Sequence, residues 1–203
     1  RDWNAHPAIV RVESATEIFA LSDPHGGYIA LSELLAANHL IKEAPATSAE
    51  AKTAEWTGGA AVLVVAGDLI DKGKESLGVI DLLRTLEGQA RDSGGRVIVT
   101  LGNHEAEFFD DPENDKANSS ESDTLGVNNE LRDHGIKPRD FARGLDPEGR
   151  GAWLHNLPFG AKVGTWFFAH GGNTRGKTLA ELDKKLSNSL DHNGWGDRDI
   201  TGV

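Results

Sequence analysis

Three short apolar runs set the limits on what this chain can fold into, because each ends in a cluster of polar groups. "EIFALS" at 17–22 runs into "DPHGG", "AAVLVVAGD" at 60–68 into "LIDKG", and "RVIVTLG" at 96–102 into "NHE". Runs of this length, rich in Val and Ile, suit strands covered on both faces. Between them, "YIALSELLAANHL" at 28–40 and "ESLGVIDLLRTLEGQA" at 75–90 place Leu and Ile at three- and four-residue spacings. That spacing gives a helix one apolar face. The order strand–helix–strand–helix–strand defines an α/β fold. Sites in open α/β sheets form outside the carboxyl ends of strands, so the three polar clusters are expected to converge.

The rest of the chain differs in character. "DDPENDKANSSESD" at 110–123 reads as an exposed acidic loop, "NNELRDHG" as the start of a helix, and "KPRDFARGLDPEGRG" as turn-rich. Residues from about 110 to 151 are therefore expected to form an insertion beside the site. "KVGTWFFAH" at 162–170 alternates like one more strand and again ends in a polar "HGG", and "TLAELDKKLSNSL" at 178–190 is an amphipathic helix. No internal repeat is present, and one domain is expected over residues 1–203.

Composition excludes several chemistries. There is no cysteine, so disulfides, thiolate metal sites and cysteine nucleophiles are ruled out, and any transition metal must be held by His, Asp, Glu or Asn. The net charge of −11 argues against a nucleic-acid binder, which needs a basic face. A phosphorylated substrate stays compatible, since bound divalent cations invert the local field. The apolar runs are too short to span a bilayer, so no membrane partner is expected. The chain lacks Met and starts at Arg1, as a processed or trimmed chain does; removal of a signal peptide would place it in the periplasm or outside the cell.

The polar strand ends supply Asp23 and His25, then Asp68 and Asp71, then Asn103 and His104, then His170. This mixture of hard oxygens and imidazoles suits Mn, Fe or Zn better than Ca or Cu. Carboxylates converging without a cation would repel one another. Two divalent ions relieve that repulsion and supply a route to phosphoester hydrolysis.

In their order, "DPHG", "GDLIDKG", "GNHE" and "HGG" resemble the signature of the calcineurin-like metallophosphoesterases. Within that superfamily they are most similar to the Ser/Thr phosphoprotein phosphatases and their bacterial Shewanella-like relatives. The resemblance covers about residues 17–107 and 160–175. It implies a four-layer αββα sandwich with an inserted loop and helical segment. It implies two metal ions, Mn, Fe or Zn, with Asp23 and His25 on one, Asp68 bridging both, and Asn103 and His170 on the second. It further implies that a hydroxide between the metals attacks phosphorus in line while His104, paired with Asp71, protonates the departing alcohol.

The implied activity is phosphomonoester hydrolysis, with a phosphorylated substrate, favoured as a phosphoprotein, for partner. Two other readings stay open. One is a phosphodiesterase or nucleotide hydrolase on the same scaffold; the other is a non-catalytic or truncated metal-binding module. The second is motivated by a departure: the family carries a further metal-binding His downstream of "HGG", and the chain ends at Val203 without one. Lys72 stands where the family has Arg, so it would neutralise phosphate without a bidentate fork. Arg175 and Arg198 are the other candidate phosphate ligands. His6, His39, His134, His155 and His192 are given no role in the site, and Trp153, Trp166 and Trp195 are expected to pack.

Overall fold

A computed structural model of the chain describes residues 1–121 and 124–202. Strand β1 (Ile9–Val12) is followed by β2 (Ile18–Leu21), α1 (Tyr28–Ala37), β3 (Val62–Ala66), α2 (Ser76–Asp92) and β4 (Arg96–Thr100). Helix α3 (Asn103–Asp110) then leads into a small hairpin, β5 (Ser120–Glu121) and β6 (Thr124–Leu125). Three helices follow: α4 (Val127–Asp133), α5 (Pro138–Ala142) and α6 (Arg150–His155). Strands β7 (Gly160–Val163) and β8 (Trp166–Phe168) precede α7 (Leu179–Asn193) and the short α8 (Arg198–Thr201).

Two three-stranded sheets stack face to face. One has the order β2-β3-β4, all parallel, and the other the order β1-β7-β8. Alternation along β3 decides what lies on each side. Val62 and Val64 join Ile98, Ala161 and Val163 in the layer between the sheets. Leu63 and Val65 face the other way, into the core with Leu31 and Leu35 of α1 and Leu82, Leu83 and Leu86 of α2. Leu182 and Leu186 of α7 share a core with Ile9 of β1, and Asp183 accepts the Ile9 N–H. The result is an α/β sandwich of helix, sheet, sheet and helix layers.

The expected strands and helices at 17–22, 28–40, 60–68, 75–90, 96–102 and 178–190 all form. Two readings need correction. The segment 162–170 is not one strand but part of a hairpin, because Gly164 adopts φ 57° and turns β7 back onto β8. The turn-rich 137–151 holds α5 and the start of α6, the first opened by Pro138 at a position where a missing N–H costs nothing. Trp166 does not pack; it is 65% exposed. In the acidic run 110–123, Ser122 and Asp123 lie outside the described residues, while Ala117 is fully buried and fixes the loop to the body.

Candidate dinuclear metal centre

Strands β2, β3 and β4 run parallel, so their carboxyl ends open on one side. There the backbone bends sharply. Among the described residues, Asp23, His25, Asp68, Asp71 and Lys72 all have positive φ, between 42° and 65°. For residues with a Cβ such a conformation costs about 1–3 kcal/mol each and is held only where surrounding structure over-determines it. Glycines let the loops close: a Cβ on Gly102 would lie 2.1 Å from Asp68 Oδ1, and one on Gly73 would lie 2.2 Å from the His25 carbonyl.

What over-determines the β3 loop is Glu105. Its carboxylate is fully buried and accepts four backbone N–H groups. Oε2 takes those of Asp68 (3.0 Å) and Gly102 (2.9 Å), and Oε1 those of Leu69 (2.7 Å) and Ile70 (3.2 Å). Burial, followed by the Asp68 charge, pushes its pKa up to about 7 against the pull of those N–H groups. Sequence reasoning left this residue without a role. Its signal was only its position, a Glu three residues after the Gly102 that precedes α3, as in a capping box.

The side chains converge on Asp68. Its Oδ1 accepts the His104 N–H at 3.0 Å. Its Oδ2 lies 3.4 Å from His25 Nε2, 3.5 Å from His170 Nε2 and 3.9 Å from His104 Nε2. Asp23 Oδ1 is 3.7 Å from His25 Nε2, and Asn103 Oδ1 is 3.1 Å from His170 Nε2. Two groups have ligand atoms close enough to hold an ion: His25, Asp68 and His104, and Asp23, Asp68 and His170. Asp68 belongs to both.

The imidazoles are oriented as metal ligands are. His25 Nδ1 lies 2.9 Å from the Ile70 carbonyl and His170 Nδ1 3.0 Å from that of Ala66. A carbonyl can only accept, so each Nδ1 carries the proton and each Nε2 presents a lone pair to the cluster. Burial holds the His25 pKa below its usual value, with Lys72 and His104 adding to the depression against the pull of Asp68. The ring is thus a neutral donor. The donor set of carboxylate, amide oxygen and imidazole fits divalent first-row ions.

His104 is set differently. Its Nδ1 lies 2.8 Å from Asp71 Oδ2, and both residues are buried. The other oxygen, Asp71 Oδ1, accepts the Val127 N–H at 2.8 Å, the first residue of α4. The segment after α3 therefore grips the carboxylate that orients His104. Lys72 Nζ stands 2.7 Å from His25 Nε2, inside the cluster. The structure does not bring Arg175 there: its guanidinium bonds Asp199 Oδ1 and the Gly202 carbonyl. Arg198 opens α8, which packs on α3. His192 is exposed and bonds within α7.

At the carboxyl edge of a parallel sheet, an Asp close to several imidazoles and a buried carboxylate–imidazole pair beside it form an arrangement with the donors to hold metal ions. The sequence profile of the Calcineurin-like phosphoesterase family matches residues 16–200, and the chain belongs to that family. Over 95 residues, 47% of the chain, it is 30% identical to Shewanella-like protein phosphatase 2 of Arabidopsis thaliana, of which the match covers 22%. It is similar in structure to the cold-active protein-tyrosine phosphatase of a psychrophilic Shewanella, with TM-score 0.67 and 21% identity over 97% of the chain and 57% of that enzyme. A protein serine/threonine phosphatase of Saccharomyces cerevisiae aligns with TM-score 0.53 and 15% identity, over 79% of the chain and 40% of that protein. The chain thus spans about a fifth of the plant relative and just over half of the Shewanella enzyme.

Proposed function

We propose that the chain is the catalytic core of a metal-dependent phosphomonoesterase acting on phosphoprotein-type substrates. The observation that carries this reading is the Asp71–His104 pair at 2.8 Å beside an Asp68 carboxylate whose Oδ2 lies 3.4 Å from His25 Nε2 and 3.5 Å from His170 Nε2. Asp23, His25, Asp68, Asn103 and His170 would hold two divalent ions, for which Mn, Fe and Zn suit the donors. Bound there, such ions polarise the phosphoryl oxygens and lower the pKa of the attacking water.

The chain's own residues do the rest. With Nδ1 tied to Asp71, His104 keeps Nε2 turned to the cluster, where it gives its proton to the departing ester oxygen. Asp71 holds the ring in that tautomer and balances the imidazolium. Lys72 faces the same space and offers its ammonium to a phosphoryl oxygen, the role expected earlier also of Arg175 and Arg198. Water attacks directly, so no covalent phosphoenzyme forms.

The test is Mn²⁺-dependent hydrolysis of p-nitrophenyl phosphate and of a phosphoserine peptide by this chain, with His104→Ala and Asp68→Asn in parallel. Loss of the general acid is expected to lower kcat on a phosphoserine peptide, whose alkoxide needs the proton, by about 10²–10⁴-fold and on p-nitrophenyl phosphate far less, and Asp68→Asn to remove the metal dependence of both. Faster turnover of bis(p-nitrophenyl) phosphate than of the monoester would replace this reading with a phosphodiesterase. Tight binding of two Mn²⁺ without any turnover would replace it with a metal-binding module.

A further inference from the structure

A groove of about 430 Å³ opens where the two sheets meet along β4 and β1. Arg11, Arg91 and Arg96 line it with a single carboxylate, Glu87. That carboxylate is already engaged, by Arg91 at 3.5 Å and by the Trp153 indole N–H at 2.9 Å. Arg11 and Arg96 are exposed and have no ion-pair partner among the described residues. Two unpaired guanidinium groups in one groove run against the charge of the whole chain, −11. Elsewhere the protein repels polyanions; here it attracts a negative segment.

The floor of the groove also contains a strand edge, recessed so that Val97 and Val99 are only 5% and 4% exposed. In the order β2-β3-β4, strand β4 is the outer strand. The Arg96 N–H donates inward to the Ala61 carbonyl, and the Leu101 N–H donates outward to that of Pro158. Backbone groups alternate sides along a strand, so the N–H and C=O groups of Val97 and Val99 point outward. They have no partner among the described residues, and both residues line the groove. An outer strand with unsatisfied backbone groups is a template for another extended chain.

We infer that this groove docks an extended acidic peptide, which adds as a strand beside β4 and sets its carboxylates on Arg11, Arg91 and Arg96. The strand edge supplies backbone hydrogen bonds, the arginines select acidic side chains through charge-assisted bonds, and the Trp153 face supplies apolar area. The inference stands apart from the phosphatase reading, since none of these residues belongs to the metal cluster. It gives the protein a means to hold an acidic partner or substrate segment away from the chemistry.

The probe is a fluorescein-labelled peptide of about eight residues that alternates valine with aspartate and glutamate. Its anisotropy is titrated with the chain, without added metal. Binding is expected to weaken about tenfold or more in Arg11→Glu/Arg96→Glu, to weaken with salt, and to be lost when the peptide's alternate amides are N-methylated. Hydrolysis of p-nitrophenyl phosphate by the variant is expected to be unchanged, which separates failure of the groove from failure of the centre. Equal binding of a glutamine-and-valine peptide, or indifference to the arginine reversal, would overturn the proposal. So would full competition by free inorganic phosphate, which would mark a small-anion site. A concentration-dependent dimer on gel filtration that the reversal dissolves would make a second copy the occupant, and would overturn it too.

Discussion

Asp71 and Glu105 show how two carboxylates a few residues from one ligand cluster take different work from different partners. Asp71 divides its oxygens between His104 Nδ1 and the Val127 N–H. Asp71→Asn keeps the shape but presents an amide where His104 needs an acceptor, so the ring loses its tautomer. We expect kcat to fall by about 10²-fold or more with Mn²⁺ binding retained, measured by steady-state kinetics beside calorimetric titration. Glu105 spends both oxygens on backbone. Glu105→Ala leaves four buried N–H groups without an acceptor, each at about 1–3 kcal/mol, and is expected not to fold stably. Glu105→Gln keeps one acceptor and folds, but holds Asp68 less firmly. An expected loss of about 10–100-fold in metal affinity would appear as a shifted Mn²⁺ activation curve.

Helix α4 is the element that joins the insertion to the centre, and it does so twice. Its first N–H holds Asp71, and one turn later Glu130 accepts the Leu77 N–H near the start of α2. Burial is the chief cause that raises the Glu130 pKa to about 7, against the pull of the Leu77 and Ser76 N–H groups. In the unfolded chain the same group titrates near 4.3. Between these values the folded state binds more protons than the unfolded state. Stability from this group is therefore full at the acid end of that window and is lost as pH rises towards 7. Glu130→Gln is expected to flatten the fall of Tm between about pH 4.5 and 7, read by thermal unfolding across that range. Glu105 acts with the same sign, so the slope shrinks without vanishing. None of this was readable in "NNELRDHG": a helix start was, but a backbone N–H donor carries no letter of its own. The acidic composition of 110–123 likewise suggested solvent, while the buried Ala117 and the Asn128 amide, which bonds the Pro112 carbonyl, tie that loop down.

Across the whole molecule, acidic residues outnumber basic ones, and Asp23 and Asp68 bring two of the carboxylates together at one end of the sheet. Cations that bind the folded chain alone must stabilise it, by about 2.7 kcal/mol at a hundredfold excess over Kd. Tm is expected to rise with Mn²⁺, to fall again with chelator, and to be indifferent to both in Asp68→Asn. A second, ion-free tie is the buried pair of Arg150 with Asp81, at 2.9 and 2.6 Å, which fastens α6 to α2. Arg150→Met removes both hydrogen bonds to Asp81 and leaves it with Lys52 at 3.6 Å and Arg84 at 3.7 Å, so it is expected to cost about 1–3 kcal/mol in denaturant unfolding. The alternation of strands and helices and the candidate ligand types at strand ends were open to sequence reasoning because they are written in adjacent letters, while the layering of the sandwich came from the family resemblance. The Arg150–Asp81 pair, the Glu105 network and the arginine groove were not, because no motif in the letters marks which distant residues they join.

The grip of Val127 on Asp71 has a consequence for catalysis. Through that one hydrogen bond the segment between α3 and β7 reaches the proposed proton donor to the departing alcohol, apart from its separate bond from the Leu125 N–H to the Lys72 carbonyl. Changes that loosen the Val127 contact alone should therefore leave aryl phosphates, whose oxyanions depart unaided, almost untouched, and should slow alkyl phosphates steeply. Plotted against the acidity of the alcohol released, the rate would tilt while its acidic end stayed fixed, so a stretch of chain remote from phosphorus would set the enzyme's preference between aromatic and aliphatic esters.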